Sequence, residues 1–331
     1  MKLFTKQVFK GFIEFISFLK ARHYIADKEW TDVFLKNKLS YAMVARRPQE
    51  ILKLRVGNHE LRLPKCAEAY SVISAHHTLL MLDKLGNCTM HWCESAPGLV
   101  IGFRGAEYKA GSREEVQILG EVLCEGVYDL VCSHSAVIFD VGANVGFASI
   151  YFASTNPQTV IFACEPLDST FEKATRNLNL NPKLTNRIVL GNFGLYSSDG
   201  LMKLTSAPDK RGCSSVVIDQ NKDGNSEVEV VNVEMKKASS FISQSIAEFP
   251  GRKVILKMDC EGSEYEILSD LCESGVIACL DAIVLEWHKV NFPKLDTEYL
   301  MELFKRHGFS VFFRQRNMST SECGMAYAFR V

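Results

Sequence analysis

The sequence predicts an α/β fold in which helices cover a mostly parallel sheet that ends in an antiparallel strand. From residue 137 onward, apolar strand-like runs alternate with helix-like runs, and this alternation is typical of parallel strands joined by right-handed crossovers. The first of these strands enters a glycine-containing turn at 140–146. The last two segments, 309–314 and 324–331, have the pattern of a hairpin. This hairpin predicts that the final strand runs antiparallel to the others.

A small mixed accessory region, residues 1–111, is expected before the main domain, residues 112–331. Residues 1–20 form an amphipathic helical pattern, for which packing on the chain's own domain is the favoured interpretation. Peripheral contact of this helix with a membrane surface is the alternative. Charged residues interrupt every apolar run, so no transmembrane span is predicted. Short strand-like pieces follow at 50–56, 59–63 and 99–103.

Composition limits the class of protein. The chain has 331 residues and a net charge of −1, with 47% hydrophobic residues, which argues against a nucleic-acid partner bound by a basic surface. Its eleven cysteines are scattered, and an odd count without regular spacing favours a reducing compartment, so we expect a cytoplasmic protein. A zinc site at Cys88, His91 and Cys93 is disfavoured because no second matching pair follows. No feature of the sequence predicts an oligomeric state.

The elements of the main domain follow in order. Ser112 and Glu115 have the spacing of a capping box for a helix over 112–123, and Ser169 and Glu172 have the same spacing before a second helix. A hairpin insert is expected between the third and fourth core strands, with a turn at 223–224. The predicted core strands and late helix are 137–141, 159–164, 187–190, 254–258, 281–285 and 297–306.

The turn after the first core strand has the spacing Asp-x-Gly-x-x-x-Gly from Asp140 to Gly146. Gly142 would allow a turn that a side chain opposes, and Gly146 would let the helix approach the strand. A backbone of this kind is expected to offer amide N–H groups to a ligand. Dinucleotide sites instead use closely spaced glycines, and an acid at Asp140 would repel a pyrophosphate. We therefore expect S-adenosylmethionine, which carries an ammonium and a sulfonium, to be held by Asp140, Gly142, Asn144 and Gly146.

Glu165 closes the second core strand. An acid at this place can accept hydrogen bonds from both hydroxyls of an adenosine ribose. Because NAD enzymes use an acid at the same topological position, Glu165 by itself does not separate the two cofactors.

Several ordered blocks resemble the FkbM family of S-adenosylmethionine-dependent methyltransferases. They are Phe139-Asp-Val-Gly-Ala-Asn-Val-Gly146, Glu165-Pro166, Ser214-Ser215, Leu256-Lys-Met-Asp-Cys-Glu-Gly-Ser-Glu264 and Leu285-Glu-Trp-His288. The resemblance covers residues 112–331 and implies a class I methyltransferase (Rossmann-like) fold, with a seven-stranded sheet whose last strand is antiparallel, and usually O-methylation. One departure is that Lys237-Ala-Ser-Ser occupies a region where the family often has a Leu-Asp pair.

Candidate catalytic residues lie where later strands end, because ligands of open α/β sheets bind beyond the carboxyl ends of the strands. Asp259, Glu261 and His288 are predicted to bind the acceptor and to remove its proton. Glu261 and Glu264 could instead support the next helix, and Lys257 could pair with an acid or carry its charge to the site. Asp259 and Glu286 are too few to define a divalent metal site, so no metal is predicted.

The sequence therefore predicts an S-adenosylmethionine-dependent methyltransferase that acts on a hydroxyl of a small molecule or glycan. A methyltransferase-like binding protein without turnover is one alternative, kept open by the altered segment at 237–240. An NAD-linked oxidoreductase is a second alternative, opposed by the glycine spacing and by the terminal hairpin.

Overall fold

The computed structural model describes residues 52–64, 66–129, 135–206, 229–260, 262–290, 295–315 and 323–330. The chain divides into two compact units, residues 1–124 and residues 125–331. The described residues do not include the helical pattern of residues 1–20, the Ser214-Ser215 pair or the turn at 223–224.

The first unit combines short antiparallel strands with helices. A hairpin joins the first two strands, and the next three form an antiparallel sheet in chain order. The elements are β1 (Leu52–Val56), β2 (His59–Leu63), α1 (Ala67–Ile73), α2 (His76–Lys84), β3 (Thr89–Cys93), β4 (Gly98–Phe103), β5 (Ala106–Ala110) and α3 (Arg113–Leu123).

Helix α3 begins as the sequence predicts, because the Ser112 hydroxyl accepts a hydrogen bond from the Glu115 amide at 3.2 Å. Its buried face includes Val116 and Leu119, and it packs against α1, α2 and β5. By its contacts α3 belongs to the first unit, which ends at residue 124. The domain boundary predicted at residue 112 stays a prediction.

The second unit contains a seven-stranded sheet with helices between its strands. Its elements are β6 (Ala136–Val141), α4 (Phe147–Thr155), β7 (Val160–Cys164), α5 (Asp168–Asn179), β8 (Ile188–Gly191), β9 (Gly194–Tyr196), β10 (Gly200–Ser206), β11 (Glu229–Lys237), α6 (Ala238–Ala247), β12 (Lys253–Met258), α7 (Glu264–Glu273), β13 (Ala282–His288), α8 (Thr297–Arg306), β14 (Phe309–Gln315) and β15 (Cys323–Arg330).

The strand order of the large sheet is β14-β15-β13-β12-β6-β7-β8. The five strands from β13 to β8 are mutually parallel, whereas β15 is antiparallel to both of its neighbours. This order confirms the predicted class I methyltransferase sheet with an antiparallel last strand. All six residues of β6 are buried, as expected for a parallel strand covered on both faces.

One face of this sheet packs on α6, α7 and α8 through a continuous apolar core. Alternate residues of the central strands supply it, among them Phe139, Leu256 and Leu285. The intervening residues point to the opposite face, since successive side chains of a strand alternate. Asp140 and Lys257 lie on that second face, which therefore carries buried charge.

A smaller sheet of β9, β10 and β11 follows β8 in the chain. Strands β10 and β11 are antiparallel, and β11 is parallel to β9. The predicted capping box at Ser169 is wrong, because α5 begins at Asp168 with Leu167 as its N-cap and without a side-chain cap bond. The Leu167 amide donates to the Glu165 carboxylate instead.

Candidate functional site

The loop of residues 142–146, between β6 and α4, depends on two glycines in left-handed conformations. At Gly142 (φ 74°) an added Cβ would lie 1.9 Å from the carbonyl oxygen of Asp259. At Gly146 (φ 83°) an added Cβ would lie 3.1 Å from a methyl carbon of Leu178. Gly142 thus lets the ends of β6 and β12 approach each other. The tight approach at Gly146 is to α5.

The amides at the start of this loop are already hydrogen-bonded within the protein. Those of Gly142 and Ala143 donate to the carbonyl oxygen of Cys164 at 3.1 and 2.9 Å, and that of Asn144 donates to Glu165 Oε2 at 3.0 Å. Asn144 has a positive φ of 51°, which asparagine tolerates better than most residues. These three amides therefore do not face a ligand, contrary to the expectation that the turn offers them.

Glu165 connects the loop to the end of β7. Its side chain is buried, Oε2 accepts from Asn144 N, and Oε1 accepts from Leu167 N at 3.0 Å. Burial raises the pKa of the Glu165 carboxyl to about 7, although both amides favour the charged form. Each carboxylate oxygen can accept more than one hydrogen bond, so Glu165 can hold the loop and still accept from a bound ligand.

Asp140 lies beneath the loop, fully buried. Its Oδ1 is 2.8 Å from Lys257 Nζ, and the Ser149 hydroxyl donates to Oδ2 at 2.5 Å. The sequence argument gave Asp140 a charge that would repel a pyrophosphate. Because Lys257 offsets this charge, that electrostatic argument against a dinucleotide fails.

Two predicted catalytic residues lie at the same edge of the sheet as the loop. Asp259 directly follows β12, and its amide donates to the carbonyl oxygen of Val141 at 3.0 Å. His288 ends the adjacent parallel strand β13, and its side chain is 29% exposed. The carboxyl ends of β13, β12, β6 and β7 thus bring Asp259 and His288 to the edge that holds the loop and Glu165.

Glu264 organises the segment after Asp259. Its fully buried carboxylate accepts hydrogen bonds from the amides of Cys260 and Gly262 at 3.1 and 2.8 Å. Oε1 also lies 3.7 Å from His288 Nδ1. The expectation that an acid supports this helix start is confirmed for Glu264. Glu261 lies outside the described residues.

The sequence profile of the methyltransferase FkbM domain matches residues 140–311, slightly more than half of the chain. The chain belongs to the FkbM methyltransferase family. The matched range starts at Asp140 and includes Glu165, Asp259 and His288, so the site at the sheet edge lies within the FkbM domain.

Two curated proteins and one solved structure illustrate its relatives. Methyltransferase sdnD of Sordaria araneosa is 28% identical over 218 residues, which is 58% of this chain and 83% of that protein. AMB antimetabolite synthetase AmbE of Pseudomonas aeruginosa is 26% identical over 235 residues, 61% of this chain but only 11% of its own length. The crystal structure of methyltransferase FkbM from Methylobacillus flagellatus KT has a TM-score of 0.40 and 13% identity, over 61% of this chain and 46% of that one.

The second unit buries several ionisable groups around Tyr128. Burial raises the pKa of the Tyr128 phenol, the charges of Asp259, Asp140 and Glu286 raise it further, and Lys257 lowers it. Burial alone would lower the pKa of Lys257, but its pKa is raised because the surrounding negative groups, Asp140 first, outweigh burial.

Sequence reasoning found some of these contacts and missed others. It left open that Lys257 pairs with an acid, and the structure identifies that acid as Asp140. An ionisable residue in an apolar strand predicts a paired charge, since a buried charge requires a partner. Tyr128 was missed because it precedes the blocks that carry the family resemblance. Ser149 was missed because a serine in an apolar helix gives no comparable signal.

The departure at Lys237-Ala-Ser-Ser has a structural account in this FkbM domain. The amide and the hydroxyl of Ser239 donate to the carboxylate of Asp270 at 2.7 and 2.9 Å. Lys237 Nζ lies 3.5 Å from the same carboxylate. Asp270 is buried on α7, so the start of α6 is held by an acid that a neighbouring helix supplies.

The described part of the chain has neither a membrane-spanning helix nor a clustered set of metal ligands. No helix within it is long and apolar enough to cross a bilayer. It also holds no group of three or more His, Cys, Asp or Glu side chains arranged for a metal ion.

Proposed function

We propose that this chain transfers a methyl group from S-adenosylmethionine to a hydroxyl group of a small molecule or glycan. The observation that carries the proposal is the link between Glu165 and the loop through Asn144 N. It places a carboxylate with remaining acceptor capacity beside the loop, at the end of β7, where a ribose is expected. The loop residues Gly142 and Gly146 would frame the ligand, and Asp140 would act from beneath the loop.

The hydrogen bonds of the loop amides favour S-adenosylmethionine over NAD. A pyrophosphate requires amide donors, whereas the first three amides of this loop bind Cys164 and Glu165.

When bound, S-adenosylmethionine supplies an electrophilic methyl carbon. The residues of the sheet edge would hold the acceptor oxygen in line with that carbon and take up its proton as the new bond forms. Asp259 and His288 are the groups for this base role, and the exposed fraction of His288 leaves room for an acceptor to approach. A catalytic role for Glu261 stays a prediction.

Binding is tested by calorimetric titration of S-adenosylhomocysteine and of NAD. We expect the wild-type protein to bind S-adenosylhomocysteine and not NAD, and Glu165→Ala to weaken that binding about 10- to 100-fold, because two hydrogen bonds to a charged group are lost. Glu172→Ala is the matched control, since this glutamate lies exposed on α5. Binding of NAD without S-adenosylhomocysteine would contradict the proposal and favour an oxidoreductase.

Turnover is tested by transfer of a radiolabelled methyl group to a panel of hydroxylated small molecules and glycans. We expect Asp259→Asn or His288→Ala to lower kcat about 100-fold or more with the affinity for S-adenosylhomocysteine kept, as loss of a general base would. Tight cofactor binding with no transfer to any acceptor class would favour a binding protein without turnover. Methylation only at nitrogen or carbon would contradict the hydroxyl assignment.

The cytoplasmic assignment is also part of this proposal. The cysteines within the described residues are free thiols, which is consistent with a reducing compartment. Peripheral membrane contact by residues 1–20 stays a prediction, since these residues lie outside the described part of the chain.

A further inference from the structure

We propose that Lys257 is a positioning residue that holds the loop of residues 142–146 in its ligand-binding conformation before the cofactor arrives. This inference rests on the proposed cofactor site. Lys257 Nζ lies 2.7 Å from the carbonyl oxygen of Gly142, 3.4 Å from that of Val141 and 2.8 Å from Asp140 Oδ1. The ammonium thus donates hydrogen bonds to two backbone carbonyls at the start of the loop and forms an ion pair with Asp140.

The register of the sheet places Lys257 under the loop. Strands β12 and β6 are parallel neighbours, with Lys257 opposite Asp140 and Met258 opposite Val141. Opposite residues point to the same face of a sheet, so Lys257 and Asp140 meet there. The long stem of the lysine then carries Nζ past the end of β6 to Gly142. A shorter side chain would stop at the aspartate.

The hydrogen bond from Lys257 Nζ restrains Gly142, a loop residue with large conformational freedom. Glycine loses more conformational freedom on ordering than any other residue, and Gly142 is held at φ 74°. A donor fixed on its carbonyl restricts the peptide that follows, from which Ala143 N reaches Cys164 O. A loop ordered in advance binds more tightly, because less ordering remains to be done when the ligand arrives.

Tyr128 keeps water away from this contact. Its ring lies 5.9 Å from Lys257 Nζ, and both side chains are buried, with Lys257 only 2% exposed. Hydrogen bonds and ion pairs are stronger where water is excluded. The Lys257 ammonium therefore interacts with Val141, Gly142 and Asp140 rather than with water, and it holds the start of the loop in one conformation.

The test separates loop positioning from simple stabilisation. Lys257→Met removes the donor but leaves Asp140 buried without its partner, which lowers thermal stability. The double variant Asp140→Asn/Lys257→Met buries no unpaired charge and is expected to recover most of the melting temperature. We expect both variants to bind S-adenosylhomocysteine about tenfold or more weakly than wild type, with faster amide hydrogen exchange at residues 142–144.

Lys253→Met is the matched control. This lysine lies on the same strand, 64% exposed, and its Nζ is 2.6 Å from Asp281 Oδ1, so its loss should leave both readouts unchanged. In steady-state assays KM for S-adenosylmethionine should rise in the Lys257 variants more than kcat falls.

Three outcomes would overturn the inference. Wild-type affinity in the double variant together with wild-type exchange at 142–144 would reduce Lys257 to a structural ion pair. Equal weakening by Lys253→Met would point to a general effect of β12. Failure of the wild-type protein to bind S-adenosylhomocysteine would contradict the proposed function itself, and so is distinguishable from the other two.

Discussion

Replacing Glu165 by glutamine should change how the stability of the protein depends on pH. The Glu165 carboxyl has a pKa of about 7 in the folded chain, against 4.5 for an ordinary glutamate, chiefly because burial disfavours the charged form. Glutamine has nearly the same shape but does not ionise. The variant therefore removes this titration and leaves the others in place.

The sign follows from proton binding. Below pH 4.5 the carboxyl is protonated in both states, whereas between pH 4.5 and 7 the folded chain keeps the proton that the unfolded chain loses. The contribution of Glu165 is thus fully present below the unfolded pKa and is lost as pH rises through the folded pKa. The free energy of unfolding should fall by about 1.4 kcal/mol per pH unit in this window, or about 3 kcal/mol in total.

The assay is urea denaturation at half-unit steps from pH 4.5 to 8 for wild type, Glu165→Gln and the exposed control Glu172→Gln. The glutamine NH₂ must face one of the two backbone donors that Glu165 accepts, which should make the variant about 1–3 kcal/mol less stable than wild type at pH 4.5. The comparison is therefore between the slopes of the unfolding free energy against pH. The difference in unfolding free energy between wild type and Glu165→Gln should shrink toward pH 7. Parallel curves for these two proteins would refute the reasoning.

The affinity for S-adenosylhomocysteine should also depend on the ionisation of Glu165, but it should rise with pH where the stability falls. Ribose hydroxyls donate to an ionised carboxylate more strongly than to a protonated one. Wild type should therefore bind S-adenosylhomocysteine more tightly as pH rises through about 7, the pKa of Glu165. Glu165→Gln should lack this dependence in the same calorimetric titration.

Three further substitutions test the local structure. Gly142→Ala should destabilise by about 2–5 kcal/mol in urea denaturation, through left-handed strain and a backbone clash, whereas Gly251→Ala, at φ 78° with open space around it, should show only the strain, about 1 kcal/mol. Arg187→Leu should lower the melting temperature and reduce the free energy of unfolding by about 2 kcal/mol. The Arg187 guanidinium donates hydrogen bonds to three carbonyl oxygens, at 2.7–3.3 Å, at and beyond the end of α4. Asp270→Asn should cost about 1–3 kcal/mol, since two hydrogen bonds from Ser239 lose their charged acceptor; wild-type stability in either variant would contradict its assignment.

Most of the large sheet could be predicted because its strands carry their own signals. Central parallel strands are covered on both faces, so β6 and β12 are apolar runs that end at an acid and a glycine. Helix α8 has the bounds expected from the pattern, Thr297–Arg306. The start of α5 was predicted wrongly, since Ser169 lies inside a helix that begins at Asp168. A capping-box spacing indicates that a helix starts nearby but does not fix the residue at which it begins.

The candidate site was predicted in its positions and only partly in its contacts. That Asp259 and His288 follow adjacent strands could be inferred from strand ends. The close approach of Asp259 to Gly142, where an added Cβ would lie 1.9 Å from the Asp259 carbonyl oxygen, depends on how β6 and β12 align. Asp140 was expected to face the cofactor with a free charge, but it pairs with Lys257. The motif at 140–146 does not contain Lys257, so it could not predict this pair.

The sequence alone determined the order of strands and helices, the glycine turn after β6 and the acids at the strand ends, because apolar periodicity and turn chemistry are local properties of the chain. The tertiary structure decided what those acids face. Register across β6 and β12 set Lys257 against Asp140, the loop amides went to Cys164 and Glu165, and Tyr128 covered the pair. The environment of a side chain depends on which distant residue lies opposite it across the sheet, and only folding brings the two together.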